Sequence, residues 1–192
     1  PGFQGFAYVN PKAPAGGEIG LVPPIAVPNF DKFNPFTLKG TAPAGLGDLV
    51  FESLLIGNLE EPTTAYGLLA EDVEVAPDYL SAVFRIRNQA PFSDGSPVVA
   101  ADAVGAGVGE LVLLAEVKDA RALGERVVRF DFSSPNRELP LLVGSLPVFS
   151  RSWGGGKPFD QITTDLPIAS GPYRPESARL GRDITYVRDK GY

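Results

Sequence analysis

The sequence predicts a mixed α/β or α+β fold built from many short elements. Hydrophobic residues make up 44% of the 192-residue chain, which favours a packed core over a disordered coil. Its 22 glycines and 19 prolines are well above the average share of about 12%, so turns should be frequent and elements short. Stretches of period two alternate with helical patterns, as expected where helices pack on sheets. The length suits one large domain or two small ones.

Residues 1–16 read as loop, with Pro11, Pro14 and the Gly16-Gly17 pair. GEIGLV (17–22) has strand character and stops at Pro23-Pro24, because proline cannot donate to a central ladder. A loop follows through Gly40 and contains FDKFNPFTLKG (30–40), too interrupted for a helix or a central strand. Leu46, Leu49, Val50, Leu54 and Leu55 recur at helical spacing, and Gly57-Asn58 ends that helix. LLAEDVEV (68–75) is a strand, followed by a turn at Ala76-Pro77-Asp78.

In AVFRIR (82–87), Phe84 and Ile86 oppose Arg85 and Arg87, giving a half-buried strand with solvated arginines. FSDGSP (92–97) is a turn around Asp94-Gly95. VVAADAV (98–104) starts a helix that Gly105, Gly107 and Gly109 weaken by about 1 kcal/mol each. VVRFDF (127–132) alternates, with Val128, Phe130 and Phe132 inward, and ELPLLVG (138–144) is a short apolar element. RSWGGGKPFD (151–160) is loop, SGPYRP (170–175) turns into a strand, and ITYVR (184–188) is another strand. No internal repeat is present.

The net charge of −6 argues against phosphate backbones and anionic lipid as partners. The chain has no Cys and no His, which removes thiolate chemistry and the commonest general base and transition-metal ligand. No apolar run is long enough to span a bilayer. Starting at Pro1, the chain is expected to be processed or trimmed, and a removed export signal is compatible with that. Gly156-Lys157 lacks the spacing of a phosphate-cradling loop, and Ser145 and Ser170 sit in no G-x-S-x-G elbow. The carboxylate pairs Glu60-Glu61, Glu71-Asp72 and Asp160/Asp165 read as solvated surface. No catalytic residue, metal site or cofactor is expected.

Several stretches then line up in order: GFAYVNPKAPAGGEIGLV, FNPFTLKG, GLGDLVFESLL, YGLLAEDVEV, VVRFDFSSPNRELPLLVG and LPIASGPYR. The pattern F-R-[IL]-R-x-x-A-x-F-S-D-G-x-P-V, met by Phe84 to Val98, is the most specific of them. Together they resemble the extracellular solute-binding proteins of family 5, the peptide- and nickel-type binding subunits of ABC importers, and within them the YejA-like oligopeptide-binding branch. The resemblance implies the N-terminal lobe of a type II periplasmic-binding-protein fold, with a mixed β-sheet and an inserted α+β subdomain. Residues 1–48 and 148–192 would form the core subdomain and 49–147 the insert, with the C-terminal lobe absent from this chain.

In function, the resemblance implies a periplasmic or membrane-anchored binding subunit. It would hold an extended oligopeptide or peptide-like compound between two lobes and deliver it to an inner-membrane ABC permease. A truncated piece with only an interaction or structural role is the alternative. Val99 departs from the family, which usually starts the following helix with Thr or Ser. A Val at that cap leaves early amides unpaired, at about 1 kcal/mol. The Gly-rich run after it differs as well, so contacts that relatives make from there do not carry over.

Lys39, Gly40 and Thr41 match the family's backbone that pairs with peptide by strand addition. Asn34 and Tyr173 complete the expected ligand-binding set. Phe33, Asn34, Pro35 and Phe36 are read either as core-edge packing or as part of that cleft wall. Tyr173, with the turn Ser170-Gly171-Pro172, is either packed or at the cleft. Trp153 is either a core lid or a stacking surface, while Asp94 and Gly95 are structural.

Overall fold

The computed structural model describes residues 8–10, 12–14, 16–20, 29–37, 39–104 and 116–192. In chain order the elements are α1 (Leu46–Val50), β1 (Leu55–Asn58), β2 (Glu61–Gly67), β3 (Ala70–Val75), β4 (Ser81–Ile86), α2 (100–104 within the described residues), β5 (Val117–Ala122), β6 (Val127–Phe132), α3 (Leu139–Gly144), β7 (Tyr173–Arg179) and β8 (Asp183–Arg188). Two short 3₁₀ turns, Trp153–Gly156 and Phe159–Gln161, lie between α3 and β7. The central sheet has the order β3-β4-β6-β5, and β1-β2 and β7-β8 are separate hairpins. Helices and several sheets make this the expected α/β class, and every pairing among the described residues is antiparallel.

Two apolar clusters form. The first uses residues 54–148: Phe84, Ile86, Val128, Phe130 and Phe132 of the central sheet meet Leu54, Leu55, Leu139, Val143 and Val148. The inward sets predicted for β4 and β6 are the buried ones, and the rings of Phe84 and Phe130 meet edge-on at 5.8 Å. The second cluster joins Phe30, Phe33, Leu46, Val50 and Phe51 to Phe149, Trp153, Ile162 and Ala169. Ile168 packs against both. The chain crosses between the clusters twice, near residues 51–54 and 147–149. The two crossings are held together by Val148 N–H donating to the Glu52 carbonyl at 2.8 Å and by a bridge between Ser53 and Pro147.

That crossing corrects the helix expected over residues 46–55. α1 stops at Val50, and Phe51 is already extended, with φ −103° and ψ 145°. The carbonyls of Val50 and Glu52 accept N–H groups from Gly171 and Val148 instead of from a next helical turn. Leu54 and Leu55 are buried as their spacing implied, but on an extended segment. Apolar residues at i+8 and i+9 satisfy either geometry, and the tertiary backbone bonds select the strand. The strand expected at 17–22 does not form over residues 17–20, which are irregular and exposed; residues 21–22 lie outside the described residues, as do Gly105, Gly107 and Gly109.

The β1-β2 hairpin and β5 carry too little alternation to be seen in sequence. β2 is almost wholly exposed and contains Pro62, which an edge strand tolerates. The amides behind Val99 are largely paired, contrary to the expectation from its missing hydroxyl. The Asp102 carboxylate accepts the Val99 N–H at 3.0 Å, Ala100 N–H donates to the Glu125 carbonyl, and Asp102 N–H to the Val99 carbonyl. Asp102 therefore supplies the returning half of a capping box.

Candidate functional site

The loop 30–41 stands on an aromatic base. Phe30 and Phe33 are buried, and Phe36 packs edge-on against Phe149 (4.7 Å between centroids) and Phe51 (5.5 Å). Backbone bonds fix it to its neighbours: Phe33 N–H donates to the Thr163 carbonyl and Gly181 N–H to the Phe30 carbonyl. On the far side of the loop, the Tyr186 hydroxyl donates to the Ala44 carbonyl at 3.0 Å, and burial pushes that phenol up to about 12.

Asn34 is fully buried within this base. Its side-chain NH₂ donates to the Phe159 carbonyl at 3.1 Å, its side-chain oxygen accepts the Phe36 N–H at 3.0 Å, and its own carbonyl accepts the Thr37 hydroxyl. The amide thus faces inward and shapes the turn; of the two readings of Phe33 to Phe36, packing is the one the geometry expresses. Lys32 is buried. Its ammonium donates to the Thr37 carbonyl at 2.5 Å and hydroxyl at 2.8 Å. Burial lowers its pKa, and the neighbouring Asp31 charge opposes that shift.

The far arm of the loop is closed by Asp31. Its N–H donates to the Thr41 carbonyl at 3.0 Å, and its carboxylate accepts the Thr41 N–H at 2.7 Å. Gly40 has φ 84°, where a side chain is strained, and a Cβ there would stand 2.7 Å from the Asp31 carboxylate oxygen and push it off Thr41. Lys39 and Gly40 are exposed, and Thr41 is half-buried.

Tyr173 does not join this group. It opens β7, whereas the loop base meets the opposite end of the hairpin at Gly181. Six residues of strand separate these ends, about 20 Å. Tyr173 pairs with Arg188 and is 38% exposed. The turn before it is tightly built: Gly171 N–H donates to the Val50 carbonyl, and a Cβ on Gly171 would lie 2.5 Å from that oxygen. Trp153 is a core lid, 2% exposed, with its indole N–H on the Asp165 carbonyl at 3.1 Å. Arg87 is exposed, as expected, and donates to the Gly67 carbonyl at 2.9 Å.

A second polar centre had no sequence signal, because its partners are far apart in the chain. Glu52 is buried between the clusters and accepts the Tyr192 hydroxyl at 2.9 Å. Burial raises the Glu52 pKa, partly offset by the hydrogen bond from Tyr192, the nearby Ser170 hydroxyl and the Arg87 charge. Ser170 lies close to this carboxylate, but its buried oxygen makes no hydrogen bond of ordinary geometry. Beside them a shallow cavity of about 150 Å³ is lined by Phe92, Ser93, Ser170, Asp189 and Tyr192, among others.

Short helices and three antiparallel sheets packed around two apolar clusters give a fold similar to that of type II periplasmic binding proteins. NikA from Brucella suis, solved in complex with Fe(III)-EDTA, has this fold with a TM-score of 0.72 and 25% identity, over 86% of this chain and 35% of that one. The class is therefore a solute-binding protein. The family model for bacterial extracellular solute-binding proteins, family 5 (middle region), matches residues 64–192, and the chain belongs to that family. Among its relatives, the protein y4wM of Sinorhizobium fredii is 40% identical over all of this chain and 31% of its own length. The probable peptide-binding protein YejA of Agrobacterium fabrum is 36% identical over all of this chain and 33% of its own. The chain thus spans about a third of the length of the curated relatives it matches. Among the described residues no helix is long and apolar enough to cross a membrane.

Proposed function

We propose that this chain supplies one wall of the cleft in the binding component of an ABC importer, which captures extended oligopeptides or peptide-like compounds between two lobes. The observation that carries the reading is the loop 30–41. An aromatic base presents an exposed stretch of main chain at Lys39 and Gly40, with Thr41 half-buried beside them and tied to Asp31; exposed main chain is what strand addition to an extended peptide requires. Asn34 acts by holding the loop, and Tyr173 stands apart at the other end of β7, as a rim contact. The name of the Agrobacterium relative supports a peptide cargo.

On this reading no bond is made or broken. Closure of two lobes traps the peptide, and an inner-membrane permease receives it, with the protein working in the periplasm or anchored outside the cytoplasmic membrane. The chain divides into a core subdomain (1–48 and 148–192) and an insert (49–147); the two apolar clusters support such a division, with Val50 and Phe51 on the core side and Val148 on the insert side.

The test is a thermal-shift series on the complete gene product with unblocked di- to pentaalanine. Saturating peptide stabilises a binder by about 2.7 kcal/mol at a hundredfold excess over Kd, a readily seen rise in Tm. A flat response to every length, repeated with a mixed-sequence peptide pool, would refute the peptide cargo.

A further inference from the structure

Strand addition needs main-chain groups that are free and already in place, and both conditions trace to two side chains beneath the loop. Thr41 has neither group to offer, since Asp31 binds its N–H and its carbonyl. Among the described residues, the backbone groups of Lys39, Gly40 and Ala42 make no hydrogen bond within the protein. The unpaired positions therefore flank Thr41, and the Asp31 clamp sets their direction. Lys32 holds the opposite arm through Thr37, and its stem passes 3.1 Å from where a Gly40 Cβ would be.

We propose that Asp31 and Lys32 are positioning residues: they hold the backbone of Lys39, Gly40 and Ala42 open for a peptide while themselves touching none of it. The proposal rests on the peptide reading above. A loop already shaped by its own side chains loses little freedom on binding, so its ties appear as affinity. Loss of the ties leaves the aromatic base intact, because Phe30, Phe33 and Phe36 are held by other contacts.

The experiment uses the complete gene product, with calorimetric binding of tri- to pentaalanine and amide hydrogen exchange over residues 37–42. Asp31→Ala should weaken the tightest polyalanine complex about tenfold. Asp31→Asn, which keeps an oxygen for the Thr41 N–H, should recover most of that loss, and Lys32→Met should weaken binding several-fold. Asp31→Ala binding like the parent, or Asp31→Asn binding as weakly as Asp31→Ala, would overturn the proposal. If the parent binds neither polyalanine nor the mixed-sequence pool, the peptide reading falls by itself and exchange decides the positioning role. Faster exchange of the Thr41 amide in Asp31→Ala but not in Asp31→Asn supports it, and equal exchange in all three overturns it.

Discussion

Gly171→Ala separates two opposite expectations. The backbone angle at Gly171 is not in the left-handed region. Unfolded-state entropy alone would then make alanine stabilising, by about 0.4–1 kcal/mol. The packing says otherwise. An added Cβ would lie 2.5 Å from the Val50 carbonyl oxygen, 2.6 Å from its carbon and 2.8 Å from the Leu49 oxygen. All three are backbone atoms of α1, so no side chain can swing away. Relief requires moving the turn off α1, which strains the packing by about 1–3 kcal/mol and loses the Gly171–Val50 hydrogen bond, worth about 1 kcal/mol. After the entropy gain is subtracted, the net loss is about 1–3.6 kcal/mol. For a chain of this size that lowers Tm by about 2–14 °C. Urea unfolding followed by the fluorescence of Trp153, the only tryptophan in the chain, measures it. An unchanged or raised midpoint would refute the close-approach argument.

Two further outcomes follow from the core and from the buried carboxylate. Phe84→Ala empties a fully buried site edge-on to Phe130 and should cost about 3–5 kcal/mol in the same unfolding assay. Glu52 has a folded pKa raised above 4.5, so its contribution is fully present below pH 4.5 and is lost as pH rises through the folded value. Glu52→Gln should flatten that decline and be no less stable than the parent at pH 8, as read from urea midpoints across pH; a decline equally steep in both proteins would count against the buried-carboxylate account.

Elements that bury one face of a regular strand were legible in the sequence. Phe84 and Ile86 against Arg85, and Val128 and Phe130 against Arg129, announce β4 and β6 because period two leaves one geometry open. The turn at Asp94 was legible too, since its carboxylate caps the Ser96 N–H locally and Gly95 takes φ 83°. What escaped depends on distant partners. α1 ends where it does because Gly171 and Val148, about a hundred residues on, claim the carbonyls of Val50 and Glu52. The loop was legible as a binding candidate, but its internal order was not. Asn34 turned inward because Phe159, 125 residues later, offers a carbonyl. Lys32 carries a residue type that belongs on surfaces, and only the proximity of Thr37 in the folded loop explains its burial.

The two apolar clusters also set an order of assembly during synthesis. The cluster of residues 54–148 has all its members once Val148 has left the ribosome. The other needs Phe30, Phe33, Leu46 and Val50 to wait for Phe149, Trp153, Ile162 and Ala169, translated more than a hundred residues after Phe30. The middle of the chain can therefore close first, with its two ends held side by side by the Glu52–Val148 bond. That early closure brings the waiting aromatics of residues 30–36 next to the point where Phe149 and Trp153 emerge, so the loop of residues 30–41 is among the last parts to find its place.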